Sequence, residues 1–186
     1  MEHSDERSAS SAGASPSALM VIDVQQGLFS KSTPIYRAAA LLDTIAMLID
    51  RAHASGWLVV FVQHASDKVL PFGSDDWQLH ARLHPGQEDL VIHKQHGNAF
   101  EDTPLHAALS ERGIGRGSGR VVVTGLVTHG CVRATCLGAL DLGYAVTLVA
   151  DAHSSYSKDA ARLIEEWNRK LGEAGAQVMP ASQVIF

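Results

Sequence analysis

The stretch Leu19-Met20-Val21-Ile22-Asp23-Val24 decides the fold. Its apolar residues do not alternate with polar ones, so the segment reads as a strand buried on both faces, as in a parallel sheet covered by helices. One acid, Asp23, breaks the run near its carboxyl end. Runs of the same kind recur at Trp57–Gln63 (WLVVFVQ), Leu90–Lys94 (LVIHK), Arg120–Gly125 (RVVVTG) and Ala145–Ala150 (AVTLVA), with a last short one at Gln177–Met179. Helical patterns lie between them. Ala38, Leu41, Leu42, Ile45, Leu48, Ile49 and Ala52 recur at spacings of three and four, with Pro34 at a helix start and Gly56 as a stop. Further helices are predicted over Thr103–Arg112, over Cys131–Leu142 before Gly143, and over Lys158–Ala174. Such alternation predicts a three-layer α/β/α sandwich, Rossmann-like, with a mostly parallel central sheet of about six strands. His64 to Glu88 is a long polar connection containing Pro71, Gly73, Pro85 and Gly86. A loop of that length is usually functional or holds a short helix.

Working outward, residues 1–17 (MEHSDERSASSAGASPS) read as a disordered serine-rich tail, leaving 18–186 as a single domain. The chain is 46% hydrophobic and 19% charged, enough for a sizeable core. Fifteen Lys and Arg face 20 Asp and Glu, a formal charge of −5, so no basic surface points to nucleic acid. No apolar run approaches the roughly 20 residues of a membrane span. The tail lacks the apolar centre of a secretory signal. Cys131 and Cys136 are too few and too close for a disulfide framework, which argues for a reducing, cytoplasmic setting.

Ligands in open parallel sheets bind at the carboxyl ends of the strands. Those ends carry Asp23–Gln25, His64, Lys94, the turn Leu126–Cys131 and Asp151–His153. Cys131 follows the fourth strand and opens the next helix, where unpaired amides and the helix dipole favour a thiolate and can hold an oxyanion. It could equally be a small buried apolar residue, the reading preferred for Cys136. Asp23 is either a structural cap or a general base. Lys94 either pairs with Asp23 structurally or holds acid and thiol as anions.

Three motifs lie in order: Asp23-x-Gln25-x-x-x-Phe29; Lys94 with Asn98-Ala-Phe100 and Thr103-x-Leu105; and Gly125-Leu-Val-Thr128-His-Gly-Cys131-Val132-x-x-Thr135. Together they resemble the isochorismatase-like cysteine hydrolase superfamily, which includes nicotinamidases and N-carbamoyl amide hydrolases. The likeness runs from about Leu19 to Phe186 and extends to Asp151-Ala-His153-Ser154. It implies a catalytic triad of Asp23, Lys94 and Cys131, an oxyanion hole from the backbone amides of Val127 and Cys131, and a cis peptide between Leu126 and Val127. The implied activity is cofactor-free hydrolysis of a C–N bond in a small carboxamide, carbamoyl or ureido compound through a thioester. The implied assembly is a homo-oligomer, a dimer or tetramer. Isochorismatases proper lack the cysteine and cleave a vinyl ether; that reaction is the alternative, and a non-catalytic ligand-binding member is another.

Nicotinamidases carry a metal-binding Asp-x-His after the second strand, whereas this chain reads Gln63-His64-Ala-Ser-Asp67. No metal is therefore expected. His80 and His84 share a helical spacing without the Glu of a metalloprotease. Phe29, Trp77, Phe100 and His129 are candidate pocket residues; core packing, loop anchoring or exposure would explain them as well. Gly113 to Gly119 carries alternating glycines before a strand, the reverse of a dinucleotide fingerprint, so no nucleotide cofactor is implied.

Overall fold

The computed structural model of this chain describes residues 16–117 and 119–186. The expected tail lies outside the described residues as far as residue 15, and Ser17 already belongs to the first strand. Six strands, β1 (Ser17–Ile22), β2 (Leu58–His64), β3 (Leu90–Lys94), β4 (Arg120–Leu126), β5 (Ala145–Ser154) and β6 (Gln177–Met179), form one sheet in the order β3-β2-β1-β4-β5-β6. Every neighbouring pair is parallel. The helices are α1 (Gln26–Phe29), α2 (Ala38–Ala54), α3 (Leu105–Glu111), α4 (Arg133–Asp141) and α5 (Ala160–Glu173).

Two core layers account for the unbroken apolar strands. Leu19 and Val21 of β1 join Val59 and Phe61 of β2 under Leu41, Leu42, Ile45, Leu48 and Ile49 of α2. Ala18, Met20 and Ile22 turn the other way, into a cluster with Leu105 and Leu109 of α3, Cys136 and Ala139 of α4, and Leu171 of α5. Each buried Leu or Ile of α2 contributes about 1.5–3 kcal/mol, which fixes that helix on its face.

Several boundaries differ from the sequence expectation. β1 stops at Ile22 because Asp23 takes a left-handed φ of 50°. The helix expected at Pro34 begins at Ala38, after Arg37 at φ 52°. The long connection after β2 holds no helix. It is fastened instead by the fully buried Gln25, whose Nε2 donates to Trp77 O at 2.7 Å and to His64 O at 3.0 Å. β5 runs on to Ser154 past an irregularity opposite Val123 and Gly125.

The strand order reverses between β1 and β4, and a crevice opens at the carboxyl ends of strands on either side of such a switch. Gly125 keeps the two strands close there. It sits at φ 113°, and a Cβ at that position would overlap the Ile22 carbonyl oxygen.

Candidate active site

Four strand ends deliver side chains to this crevice: Asp23 just past β1, His64 closing β2, Lys94 closing β3, and Cys131 in the turn after β4. Lys94 Nζ donates to Asp23 Oδ2 at 2.8 Å, and both side chains are sealed from solvent. The same ammonium meets His96 O at 3.2 Å and His64 Nδ1 at 3.3 Å. Asp23 Oδ1 is buried without a hydrogen-bond partner. One oxygen of Asp23, one ring nitrogen of His64 and Cys131 Sγ lie within 4.8 Å of one another. That donor set suits a soft cation in type, but the Lys94 ammonium already holds Asp23 Oδ2 and His64 Nδ1 and repels a second positive charge.

The turn that carries Cys131 is a π-type turn, Thr128–Val132, kinked at Gly130, and α4 starts only at Arg133. Cys131 therefore does not sit in the first turn of a regular helix as expected. Its thiol is pushed up to about 12 by burial, with the Asp23 carboxylate adding to the rise and Lys94 opposing it. The expected preformed thiolate is replaced by a resting thiol beside a carboxylate. The peptide Leu126–Val127 is cis. Val127 O accepts from Gly130 N at 2.9 Å and Val132 N at 3.3 Å, closing the turn on itself.

Behind the turn runs a polar relay that the sequence reading did not foresee. Buried Thr128 Oγ1 meets His153 Nδ1 at 2.9 Å, and His153 Nε2 meets Asn168 Oδ1 of α5 at 2.8 Å. Asn168 Nδ2 donates to Ala150 O at 3.2 Å, so its oxygen faces the imidazole and must accept from Nε2–H. Nδ1 is then the acceptor for the Thr128 hydroxyl. Burial holds His153 below its ordinary value, against its hydrogen bond to Asn168 and the charge of Asp151, and so favours the neutral ring. The signal available in the sequence was Asp151-x-His153 at a strand end, with no hint that Asn168 faces it.

The remaining candidates separate. Trp77 is 8% exposed and packs against Phe72, tilted, and His93, edge-on, with centroids at 4.7 and 4.8 Å. Phe72 and His93 line a cavity of about 320 Å³ with Ala65, Lys94, His96 and Asp102, so Trp77 backs its wall. Phe29 packs on His80 at 4.5 Å, at the edge of the α2-side core. Phe100 stacks on Tyr144 at 5.5 Å and belongs to the opposite core layer rather than to that cavity. His129 lies in the Cys131 turn, its Nδ1 buried without a partner.

A doubly wound parallel sheet with a cysteine, a buried acid and a buried lysine meeting at its switch point defines a narrow class of α/β proteins. The isochorismatase domain matches residues 17–181, and the chain belongs to the isochorismatase family. Streptothricin hydrolase of Streptomyces noursei is 36% identical over 146 residues, covering 77% of this chain and 51% of that protein. The chain thus spans about half the length of that relative. Ureidoacrylate amidohydrolase RutB of Variovorax paradoxus is 28% identical over 177 residues, 75% of this chain and 69% of that protein. The crystal structure of an isochorismatase from Pseudomonas putida KT2440 matches with a TM-score of 0.81 at 28% identity, over 96% of this chain and 95% of that one. Among the described residues, no helix is long and apolar enough to cross a membrane.

Proposed function

We propose that the protein is a cysteine-dependent hydrolase of a C–N bond in a small carboxamide, carbamoyl or ureido compound. The observation that carries this reading is the convergence of Cys131 Sγ with a carboxylate oxygen of Asp23, whose Oδ1 has no hydrogen-bond partner while Lys94 holds Oδ2 at 2.8 Å. Asp23 takes the thiol proton as Sγ attacks the carbonyl carbon. The oxyanion rests on the backbone amides of Val127 and Cys131. The C–N bond breaks as Asp23 returns the proton to the leaving nitrogen. Water, deprotonated by the same carboxylate, then attacks the thioester; the C–S bond breaks and the thiol is restored. A thiol that rests protonated suits this sequence, because the proton moves only when the nucleophile is used. The relatives named for streptothricin and ureidoacrylate hydrolysis support the choice of substrate class.

The test is ammonia or amine release from a panel of small amide, carbamoyl and ureido compounds by wild type, Cys131→Ser and Cys131→Ala. Release by wild type, lowered at least about 10³-fold in both variants, is expected of a covalent nucleophile. Near-normal release by the variants would overturn the mechanism. Turnover of a vinyl ether by Cys131→Ser would point to the ether-cleaving reaction instead.

A further inference from the structure

We infer that His153 is a positioning residue which, through Thr128, holds in place the turn whose backbone amides receive the oxyanion; this rests on the amide-hydrolase reading above. Thr128 is where that turn can be gripped. It is fully buried, stands next to Val127 and three residues before Cys131, and its carbonyl accepts from Arg133 N at the start of α4. The bonds that Val127 O takes from Gly130 N and Val132 N close the turn on itself but tie it to nothing outside. Apart from the Cys131 thiol, which meets Asp23 and Lys94, the Thr128 hydroxyl makes the only side-chain hydrogen bond from residues 127–131 to the rest of the chain, among the described residues. Any shift of Thr128 therefore moves the amides on both sides of it.

The far end of the relay is anchored independently of Thr128. Val123 of β4 pairs with Leu148 of β5, but Gly125 pairs with His153 and Leu126 with Ser154. Residues 149–152 of β5 thus stand opposite Thr124 alone, and the irregularity brings His153 level with the end of β4. The Ala150 carbonyl within it accepts from Asn168 Nδ2 at 3.2 Å, while Asn168 Oδ1 accepts from His153 Nε2 at 2.8 Å. One side chain of α5 therefore satisfies the irregular strand and sets the imidazole's tautomer. Both ring nitrogens are engaged: Nε2 donates to Asn168, and Nδ1 accepts from Thr128 Oγ1 at 2.9 Å. A chain of directional hydrogen bonds runs from α5 through β5 to the turn.

The consequence for the chemistry is selective. An oxyanion hole works because its donors are already fixed where charge develops, and removing one donor outright costs about 10²–10³ in turnover. Its effect is felt only in steps where a carbonyl oxygen becomes negative. Loosening Thr128 should therefore slow attack on a carbonyl. A reaction of the same thiol that passes through no oxyanion should be spared. A residue that merely stabilised the fold would move both reactions together.

The experiment compares two reactions of Cys131 in the full chain, each corrected by the rate seen in Cys131→Ala. p-Nitrophenyl acetate acylates the thiol through a tetrahedral oxyanion, with p-nitrophenolate leaving. Iodoacetamide alkylates it by displacing iodide, with no oxyanion to hold. The ratio of the two rate constants cancels differences in folded protein and in thiolate. Thr128→Val, which keeps the side chain's shape but loses its hydroxyl, and His153→Leu should each lower that ratio about tenfold or more. Thr128→Ser restores the hydroxyl, and His153→Gln restores an acceptor and a donor; each should recover most of the loss. The Thr128→Val, His153→Leu double variant should fall no further than either alone, because the two act as one unit. Thr128→Val preserves the packing, so the measurement stands even where His153→Leu folds poorly. A ratio unchanged in Thr128→Val, or no recovery in Thr128→Ser, would overturn the assignment. Absence of Cys131-dependent acylation in wild type removes the amide-hydrolase reading itself and this inference with it. Acylation of wild type that is indifferent to Thr128 and His153 removes only this inference.

Discussion

Lys94 Nζ lies 2.8 Å from Asp23 Oδ2 with the two side chains 0% and 2% exposed, a fully buried ion pair joining the end of β3 to the end of β1. The partners do not sit on neighbouring strands, because β2 runs between them. Desolvating two charges is costly, and the pair is held by excellent geometry and two further acceptors on Lys94.

Removing only the cation should therefore be worse than removing both charges. Lys94→Met strands a buried carboxylate and should cost about 3–5 kcal/mol. A Lys94→Met, Asp23→Leu double variant should recover much of that. Urea unfolding of both variants checks the order; a double variant less stable than Lys94→Met would contradict it.

The Cys131 thiol, raised to about 12, should react slowly with iodoacetamide at pH 7, and the rate should climb about tenfold per pH unit to pH 10 without a plateau. Because the Asp23 carboxylate helps to raise the thiol, Asp23→Asn should alkylate faster while losing turnover. A plateau below pH 8 in wild type would show a preformed thiolate. Stability carries the same sign: the unfolded thiol ionises near 9 and the folded one does not, so stability falls as pH rises from about 9 toward 12. Cys136, also pushed up to about 12 by burial, adds to that loss.

His153 gives the opposite limb. Its folded value is depressed by burial, so below about pH 6.5 the unfolded chain takes up a proton that the folded one refuses, and stability falls with pH. His64 and His80 are depressed as well and act in the same direction. His153→Gln should flatten the decline between pH 7 and 5 in thermal unfolding. An unchanged slope would place the acid sensitivity elsewhere.

Gly125→Ala should unfold the protein or cost more than about 3 kcal/mol, since the residue sits at φ 113° and the added carbon meets the Ile22 backbone. Gly56→Ala, at φ 68° in open space, carries only the backbone strain of about 1 kcal/mol. Thermal denaturation of the two variants separates a collision from a conformational preference.

Much of the layout could be read from residues alone. β3 and β6 fall at their expected bounds because each is a short apolar run between polar turns. The α2 face follows from its spacing of Leu and Ile, and Asp23, Lys94 and Cys131 stand out as polar residues at the ends of apolar strands. The boundaries that moved did so where backbone conformation overrode pattern. Asp23 and Arg37 adopt left-handed φ values, and the Cys131 turn winds as a π-type turn before α4. Local composition does not encode such choices, since they are made by the backbone where one element hands over to the next.

The sequence by itself determined the covered parallel sheet, the family and the three residues at its strand ends, because burial periodicity and residue chemistry are local properties of the chain. Only the tertiary structure decided the state of those residues. That Lys94 is held among Asp23, His64 and His96, that Cys131 rests as a thiol, and that Asn168 fixes His153 behind Thr128 all depend on groups far apart in the chain meeting where water is excluded. In that low-dielectric setting a few ångströms decide which atom holds each proton.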